Sequence, residues 1–260
     1  MIDYQKKSES QDNYAYGMDW GGEEVSIGAL NNYRRYQYDL VADHLGKNLL
    51  EVGSGASRSF AQLIVENHSA FDRMLSIEPS LVLWEKYEKF GTYEFPENVE
   101  FRNVDLFDLT VDHTGSFDTV LYIHVLEHIE DDRGALDHTY DLLEDGGKVL
   151  IQVPALPMLF SVHDEMLGHY RRYNKPILRN AIDTDKFIIK DMWYSDPIGV
   201  FGSLYFFKIR KIKLKSTDGV NAFKNQGQLY DKFLIPFQKR VENYIRSPFG
   251  LSLNAIIEKK

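Results

Sequence analysis

A short apolar run that ends in two spaced glycines constrains this chain more than any other feature. Its sequence is Leu49-Leu50-Glu51-Val52-Gly53-Ser54-Gly55, and a helical pattern follows from Ser57 to about Asn67. A buried strand that stops at Gly-x-Gly turns sharply and brings backbone N–H groups, with the N-terminus of the next helix, close to a ligand. The run therefore predicts a ligand site at the carboxyl end of a strand.

Strands and helices alternate through the residues that follow this run. We predict strands at Asn48–Val52, Arg73–Glu78, Val99–Val104, Thr119–His124 and Lys148–Val153, and helices at Ser57–Asn67, Ser80–Phe90 and Arg133–Leu143. Short apolar strands separated by helices form a parallel sheet that is covered on both faces. Ligands bind such sheets at the carboxyl ends of the strands, so the residues after each strand are the candidates for function.

Residues 46–155 form this predicted core, and the rest of the chain divides into three further parts. Residues 1–45 combine a polar arm with a helical pattern from Ile27 to about Leu45, and residues 156–180 form a loop rich in His, Asp and Arg. Residues 195–246 contain two amphipathic segments between the last two predicted strands, Phe187–Tyr194 and Leu251–Ile257. We expect all 260 residues to form a single domain.

Composition excludes several classes of function. The formal net charge of −9 argues against nucleic acid as the main partner, because phosphate binding needs a clustered basic surface. The absence of cysteine removes disulfides, thiolate metal ligands and cysteine nucleophiles. The polar first residues lack the apolar centre of a signal peptide, and no apolar run reaches the roughly 18 residues of a membrane-spanning helix. We therefore expect a cytoplasmic protein.

A basic tract at Lys208–Lys215 ends the first amphipathic segment. Such a tract can contact an anionic membrane surface, but a helix of this kind more often packs its apolar face on the domain and solvates its lysines. We favour the second interpretation. The sequence does not define the oligomeric state.

Acidic residues follow the second and third strands. Glu78 comes 25 residues after Gly53 and is suited to accept two hydrogen bonds from a ribose diol. Asp105 is suited to accept from an exocyclic amine, and Leu106 beside it to pack on a base. Together these strand ends predict a nucleoside-binding face.

The ordered set of motifs resembles the class I S-adenosylmethionine-dependent methyltransferases. The motifs are Leu49–Gly55, Ile77-Glu78-Pro79, Asp105-Leu106, Phe117–Val120, Val125-Leu126-Glu127-His128-Ile129 and Gly146–Ile151. The resemblance implies a Rossmann-like α/β fold, with a seven-stranded, mostly parallel sheet, helices on both faces and an antiparallel last strand. It implies S-adenosylmethionine as cofactor. The cofactor contacts that it implies are at Glu51, Gly53, Gly55, Glu78, Pro79, Asp105, Leu106 and His124.

A dinucleotide cofactor is the alternative within the same type of fold. Its fingerprint is Gly-x-Gly-x-x-Gly, and the sixth position here is Arg58. Close packing of helix on strand favours a small residue at that position, so a pyrophosphate ligand is disfavoured.

The segment after the fifth strand carries the candidates for acceptor binding and catalysis. It includes His163, His169, Tyr170, Arg171 and Arg172. Arginine recognises phosphate or carboxylate through paired hydrogen bonds, and histidine is suited to take a hydroxyl proton near neutral pH. We predict His128 or His169 as the base, with His163, Tyr170, Arg171 and Arg172 binding the acceptor. The alternative for the two arginines is that they are helix-surface charges paired with Asp164 and Glu165.

The run Gly168-His169-Tyr170-Arg171-Arg172-Tyr173 resembles a methyltransferase subgroup associated with bacterial surface-polysaccharide assembly. This resemblance implies O-methylation of a carbohydrate or phosphorylated glycan precursor. N- or C-methylation of a small metabolite and a catalytically silent cofactor-binding subunit remain the alternatives. Glu127 and His128, with His163 or His169, suit a divalent metal by ligand type, but we predict no metal and favour a role in shaping the acceptor pocket.

Overall fold

Seven strands form a single sheet in the computed structural model, which describes residues 32–205, 230–242 and 244–260. The strands are β1 (Asn48–Val52), β2 (Arg73–Ile77), β3 (Val99–Arg102), β4 (Phe117–Ile123), β5 (Leu143–Pro154), β6 (Phe187–Ser195) and β7 (Ser252–Lys259). Their order across the sheet is β3-β2-β1-β4-β5-β7-β6, and only the pairings of β7 are antiparallel. The predicted fold class is confirmed.

Helices connect or flank most of the strands. The α-helices of the described residues are α1 (Asn32–Asp39), α2 (Ser59–Asn67), α3 (Leu81–Phe90), α4 (Asp132–Leu142), α5 (Val162–Met166), α6 (Lys175–Ala181), α7 (Pro197–Ser203) and α8 (Ile235–Glu242). Short 3-10 turns lie at Ala42–His44, Leu106–Asp108, Val111–His113, Leu126–His128 and Pro157–Leu159, and a π turn at Tyr230–Leu234 precedes α8.

The sheet is buried on both faces, as the apolar strands require. Alternate residues of β1 point to opposite sides, so Leu49 joins one apolar cluster while Leu50 and Val52 join the other. Phe60 of α2 packs in the first cluster and Leu136 of α4 in the second. This two-sided burial fixes the register of the central strands, because a shift by one residue would exchange the two sets of side chains.

The register brings the ends of β1, β2 and β4 to one edge. Val52, the last residue of β1, pairs with Ile77 of β2 and Tyr122 of β4. The chain leaving β1 remains attached to β2, since the backbone N–H groups of Gly53 and Ser54 donate to the Ile77 carbonyl at 2.8 and 3.0 Å. The candidate residues that follow these strands therefore lie along a common edge.

The main differences from the predicted elements occur at glycines and in residues 195–246, which we call the insertion because they lie between the last two strands. Helix α2 begins at Ser59 rather than Ser57, because the preceding turn contains residues with positive φ. Strand β5 begins at Leu143 and includes Gly146 and Gly147, whereas the predicted strand began at Lys148. Only α7, the π turn and α8 represent the two amphipathic segments, and the Lys208–Lys215 tract lies outside the described residues, as do residues 1–31.

Within the described ranges, none of the helices combines the length and apolar character that a membrane crossing demands.

Candidate functional site

The two glycines after β1 occupy backbone conformations that other residues rarely adopt. Gly53 has φ of +78° and Gly55 has φ of +64°. A Cβ at Gly53 would lie 2.6 Å from a methyl carbon of Val125, so the turn after β1 packs directly against the turn after β4. A Cβ at Gly55 would meet no atom within 4 Å. The turn thus combines one tightly packed glycine with one that opens onto free space, as a ligand-binding backbone requires.

Glu78, directly after β2, is buried and holds the glycine turn in place. Its Oε2 accepts a hydrogen bond from the Gly55 N–H at 2.8 Å, and its Oε1 accepts one from the Ser80 N–H at 2.9 Å. Burial raises the pKa of Glu78, and the two N–H groups oppose that rise. Each carboxylate oxygen can accept a further hydrogen bond, so this geometry is compatible with the predicted ribose contact. Pro79 is half-buried between Glu78 and α3.

Asp105 and Leu106 lie after β3, at the same edge. The Asp105 carboxylate accepts from the Phe107 N–H at 3.0 Å and caps the short turn that contains the buried Leu106. The Asp105 N–H donates in turn to Asp108 at 3.1 Å. This capping box fixes the orientation of the loop, and the contact of Asp105 with an adenine amine stays a prediction.

A second carboxyl group, that of Glu51, is buried inside the sheet two residues before Gly53. It accepts a hydrogen bond from the Ser76 hydroxyl on β2. Burial raises the pKa of Glu51 to about 7, although this hydrogen bond opposes the rise. Beside it, the Ser54 hydroxyl is buried and makes no hydrogen bond within the described part of the chain. The glycine turn thus contains polar groups that a bound ligand can satisfy.

The turn after β4 carries a histidine and a buried glutamate. His124 has φ of +55°, and its Nδ1 lies 3.5 Å from Oε1 of Glu127. Glu127 is fully buried, and neither of its carboxylate oxygens accepts a hydrogen bond from a described residue. Burial acts to raise the pKa of Glu127, but the neighbouring histidines, His124 first, hold it below its usual value. Such a buried charge beside histidines is typical of a functional site.

Both predicted catalytic histidines lie beside this glutamate. The rings of His128 and His169 meet edge to face, with centroids 4.7 Å apart. Ligand-type atoms of Glu127, His128 and His169 all lie within 4.8 Å of one another. Burial lowers the pKa of His128 to about 4, which favours an uncharged ring. We call Glu127, His128 and His169 the His–Glu cluster. Its donor types and spacing fit an acceptor hydroxyl and also the divalent ion considered from the sequence.

Asp164 was not among the sequence candidates, although it organises this region. It is fully buried, and its Oδ1 accepts from His169 Nδ1 at 2.9 Å and from Arg172 Nε at 2.6 Å. Its Oδ2 accepts from the Ser161 N–H at 3.0 Å. Burial acts to raise the pKa of Asp164, but the His169 bond and the Arg172 charge hold it at about 2. The spacing Ser161-x-x-Asp164 is a capping-box pattern, and this was the signal available in the sequence.

The two predicted anion-binding arginines are engaged within the protein. Arg171 contacts the Asp132 carboxylate at 2.9 Å and donates to the carbonyls of Ile129 and Glu130 at 3.2 and 2.6 Å. Arg172 is only 7% exposed and pairs with Asp164. These contacts support structural roles, since they use the N–H groups that an anion would need. Recognition of an acceptor anion by either residue stays a prediction.

Tyr170 and His163 flank the same segment. Tyr170 is exposed, and its backbone N–H donates to the carbonyl of Glu127 at 2.9 Å, which ties this loop to the turn after β4. His163 is half-buried on α5, and burial lowers its pKa to about 4. The predicted acceptor loop therefore lies against the turn that carries Glu127 and His128.

The far side of the edge contains buried acids and tyrosines that sequence reasoning missed. Asp196 follows β6 with φ of +62° and is fully buried. Its N–H donates to the Tyr36 hydroxyl at 2.9 Å and to Glu242 at 3.1 Å, and its carboxylate accepts from the Tyr230 hydroxyl. Helix α1, the end of β6 and the π turn with α8 are thereby joined at one point. Isolated residues at such different positions give no local sequence signal.

Comparisons with known proteins agree with this architecture. A family model described as "Methyltransferase domain" matches residues 32–200. A ubiquinone biosynthesis O-methyltransferase from Xanthomonas oryzae pv. oryzae is 30% identical over 183 residues, which cover 63% of this chain and 73% of that protein. A protein of the same name from Xanthomonas axonopodis pv. citri is 28% identical over 183 residues, with the same coverage.

Solved structures share the fold at low sequence identity. An S-adenosylmethionine dependent methyltransferase from Mesorhizobium loti superposes with a TM-score of 0.53 and 11% identity, covering 86% of this chain and 97% of that one. A Haemonchus contortus phosphoethanolamine N-methyltransferase 2, solved with S-adenosyl-L-methionine, gives a TM-score of 0.53 and 18% identity. It covers 96% of this chain and 57% of that one.

Proposed function

The chain belongs to the methyltransferase domain family and is an S-adenosylmethionine-dependent enzyme, and from this premise we propose that it methylates a hydroxyl oxygen of a small acceptor. The observation that supports oxygen as the target is the His–Glu cluster with its Asp164–His169 pair at the open edge of the sheet. The matched relatives are themselves named O-methyltransferases.

The residues after β1 and β2 fit the cofactor. Gly55 leaves space for a ligand beside the backbone, and the Ser54 hydroxyl is a buried polar group that a ligand can satisfy. We propose that Glu78 holds the ribose hydroxyls and that Asp105 and Leu106 hold the adenine. Glu51, Gly53 and His124 then border the methionine portion. When bound, S-adenosylmethionine supplies the methyl group that is transferred to the acceptor.

His169 is our candidate for the base that removes the acceptor proton. An acceptor hydroxyl must lose its proton as its oxygen is methylated, and a base within hydrogen-bond reach assists this step. The Asp164 carboxylate holds the Nδ1 side of the ring at 2.9 Å, so the second ring nitrogen is left to face the acceptor. A carboxylate that orients a histidine is the arrangement by which many enzymes fix the tautomer of a catalytic base. His128, edge to face with His169, is the second candidate.

The relatives' printed name concerns ubiquinone biosynthesis, and this favours a hydroxylated precursor of that kind over the carbohydrate predicted from the sequence. A phenolic hydroxyl ionises near pH 10, as tyrosine does, and is therefore within the reach of a histidine base. The glycan acceptor stays a prediction without support from the matched relatives.

Binding and product assays test the proposal in two stages. Calorimetry with S-adenosylmethionine should show binding below the millimolar range, and failure to bind would refute the cofactor assignment. A panel of catechol, phenol, sugar and amine acceptors, analysed by mass spectrometry, should then show a gain of one methyl group on oxygen. Methyl transfer to nitrogen or carbon acceptors alone would refute the oxygen assignment.

Variants and a chelator test the role of the His–Glu cluster. His169→Ala should lower kcat by roughly 10²–10⁴-fold, the usual effect of a lost general base, with cofactor affinity unchanged. His44→Ala, in the turn after α1, is the matched control and should keep full activity. If EDTA abolishes activity and Mg²⁺ or Zn²⁺ restores it, the cluster holds a metal and the base assignment to His169 is wrong.

A further inference from the structure

Arg58 occupies the position at which the dinucleotide-binding fingerprint has a small residue. It lies directly after the glycine turn, at the N-terminus of α2, with φ of +46° and ψ of +26°. Only 6% of the residue is exposed. A residue with a side chain in the left-handed region is strained, and such strain persists only where surrounding contacts enforce it.

Three aromatic rings surround the guanidinium group. Its central carbon lies 3.9 Å from the ring centroid of Tyr87, 4.1 Å from that of Phe101 and 4.6 Å from that of Trp84. All three distances are within the range of a cation–π contact, which is strongest where water is excluded. We call these three rings the aromatic cage. The Glu88 carboxylate lies 3.3 Å from the guanidinium but is itself exposed, so the cage supplies the main contact.

The cage belongs to elements that carry other parts of the cofactor site. Trp84 and Tyr87 lie on α3, the helix that starts after Glu78, and Phe101 lies on β3. The Gly55 N–H is bonded to Glu78. The glycine turn is therefore held at two points, by the Gly55–Glu78 hydrogen bond and, three residues later, by the caged side chain of Arg58.

The charge of Arg58 also acts on the two buried carboxyl groups of the site. Burial raises the pKa of Glu51 and of Glu78, and the Arg58 cation opposes this rise in both. The caged guanidinium thus favours the ionised carboxylates that accept hydrogen bonds from a ribose or attract a cationic ligand.

We propose that Arg58 is a positioning residue for the cofactor: caged by Tyr87, Phe101 and Trp84, it clamps the glycine turn onto α3 so that Gly55 and Glu78 stay aligned for binding. The inference rests on the proposed function, because it assigns S-adenosylmethionine to this turn. Arginine is required because its planar guanidinium can stack on several rings, whereas the ammonium of lysine is compact and strongly hydrated.

Four single variants separate positioning from general stability. Arg58→Gly tolerates the positive φ but removes the side chain, and Arg58→Lys keeps the charge but loses the planar group. Glu88→Gln removes only the exposed ion pair. Phe95→Leu is the matched structural control, because the Phe95 ring packs against Phe101 with centroids 4.7 Å apart but is not one of the three rings of the aromatic cage.

Each variant is tested by three measurements. Calorimetry gives its affinity for S-adenosylmethionine, steady-state kinetics give kcat and KM, and thermal unfolding gives the melting temperature. Arg58→Gly and Arg58→Lys should weaken cofactor binding about tenfold or more, where tenfold equals 1.4 kcal/mol. At saturating cofactor, kcat and the acceptor KM should stay within about twofold of wild type. Glu88→Gln and Phe95→Leu should keep the wild-type cofactor affinity, even where Phe95→Leu lowers the melting temperature.

A double variant tests the cage itself. Tyr87→Leu should weaken cofactor binding in the wild-type background but have little further effect in Arg58→Gly, since the two residues act through one contact. Independent, additive effects would overturn the proposal, as would wild-type cofactor affinity in both Arg58 variants or equal loss of affinity in Phe95→Leu. Wild-type protein that fails to bind S-adenosylmethionine would overturn the proposed function and this inference together.

Discussion

Replacing Glu51 with glutamine should remove most of the pH dependence of cofactor binding. Glu51 is buried beside the glycine turn, and burial raises its pKa to about 7. In the unliganded protein the carboxyl group is thus mainly protonated below pH 7. S-adenosylmethionine carries a positive charge at sulfur, and a cation placed near Glu51 favours the ionised form. We therefore expect binding of the cofactor to release a proton.

The size of the pH effect on cofactor affinity follows from the pKa of Glu51. Affinity should rise as pH increases toward 7, by up to tenfold per pH unit, because each unit of pKa difference corresponds to about 1.4 kcal/mol. Between pH 5.5 and 7.5 the upper limit is a gain of about 25-fold, with little further change above that range. Glu51→Gln keeps the shape and the ability to accept from Ser76, so its affinity should vary far less over the same range.

The same pKa predicts an effect on stability of the unliganded protein. Because the folded-state pKa is raised from 4.5 to about 7, the wild type loses stability as pH rises through this window. The total loss is about 3 kcal/mol at most. Glu51→Gln should therefore match the wild type near pH 4 and be the more stable protein above pH 7.

Calorimetry in two buffers of different ionisation enthalpy measures the number of protons released, and urea unfolding at several pH values measures stability. Glu88→Gln, which changes an exposed carboxylate, is the control for a nonspecific charge effect. An unchanged pH slope in Glu51→Gln, or wild-type binding without proton release between pH 5.5 and 7, would show that Glu51 does not ionise when the cofactor binds.

Four further substitutions test separate parts of the site. Glu78→Ala should weaken cofactor binding by about 1–3 kcal/mol, because the Gly55 N–H loses its acceptor, and calorimetry measures this. Gly53→Ala should lower the melting temperature, since its Cβ would lie 2.6 Å from a side-chain carbon and φ is positive. Asp164→Asn should reduce kcat about tenfold or more while cofactor affinity stays constant, as single-turnover kinetics can show. Tyr230→Phe should cost about 1–3 kcal/mol in urea unfolding, because a buried carboxylate loses a hydroxyl donor.

The positions of the candidate cofactor residues at the strand ends were largely predictable from the sequence. Its residues follow strands directly, and strand–turn–helix units have local signatures in apolar runs and glycines. Gly53, Glu78 and Asp105 therefore came to the predicted edge of the sheet. The errors in the element bounds were small and arose near glycines: α2 begins at Ser59 after the glycine turn, and β5 includes Gly146.

The side-chain contacts of the histidines were less predictable from the sequence. The sequence identified His128 and His169 as candidates, but their edge-to-face contact joins the turn after β4 to the loop after β5. It also offered Arg172 for recognition of an acceptor anion, whereas the folded chain buries it on Asp164. Periodicity describes which face of an element is apolar, but it does not say which of several polar side chains will pair across a loop.

The two sides of the site are therefore specified by different kinds of contact. The glycine turn is held by Glu78, only 23 residues from Gly55, whereas the Asp196 N–H is bonded to Tyr36 and Glu242, which are 160 and 46 residues away. Burial raises the pKa of Asp196 and of Glu242, and the Asp196 charge adds to the rise at Glu242. These long-range polar contacts join α1 to the insertion. A change in the insertion can therefore alter these long-range contacts without changing the local contacts of the glycine turn.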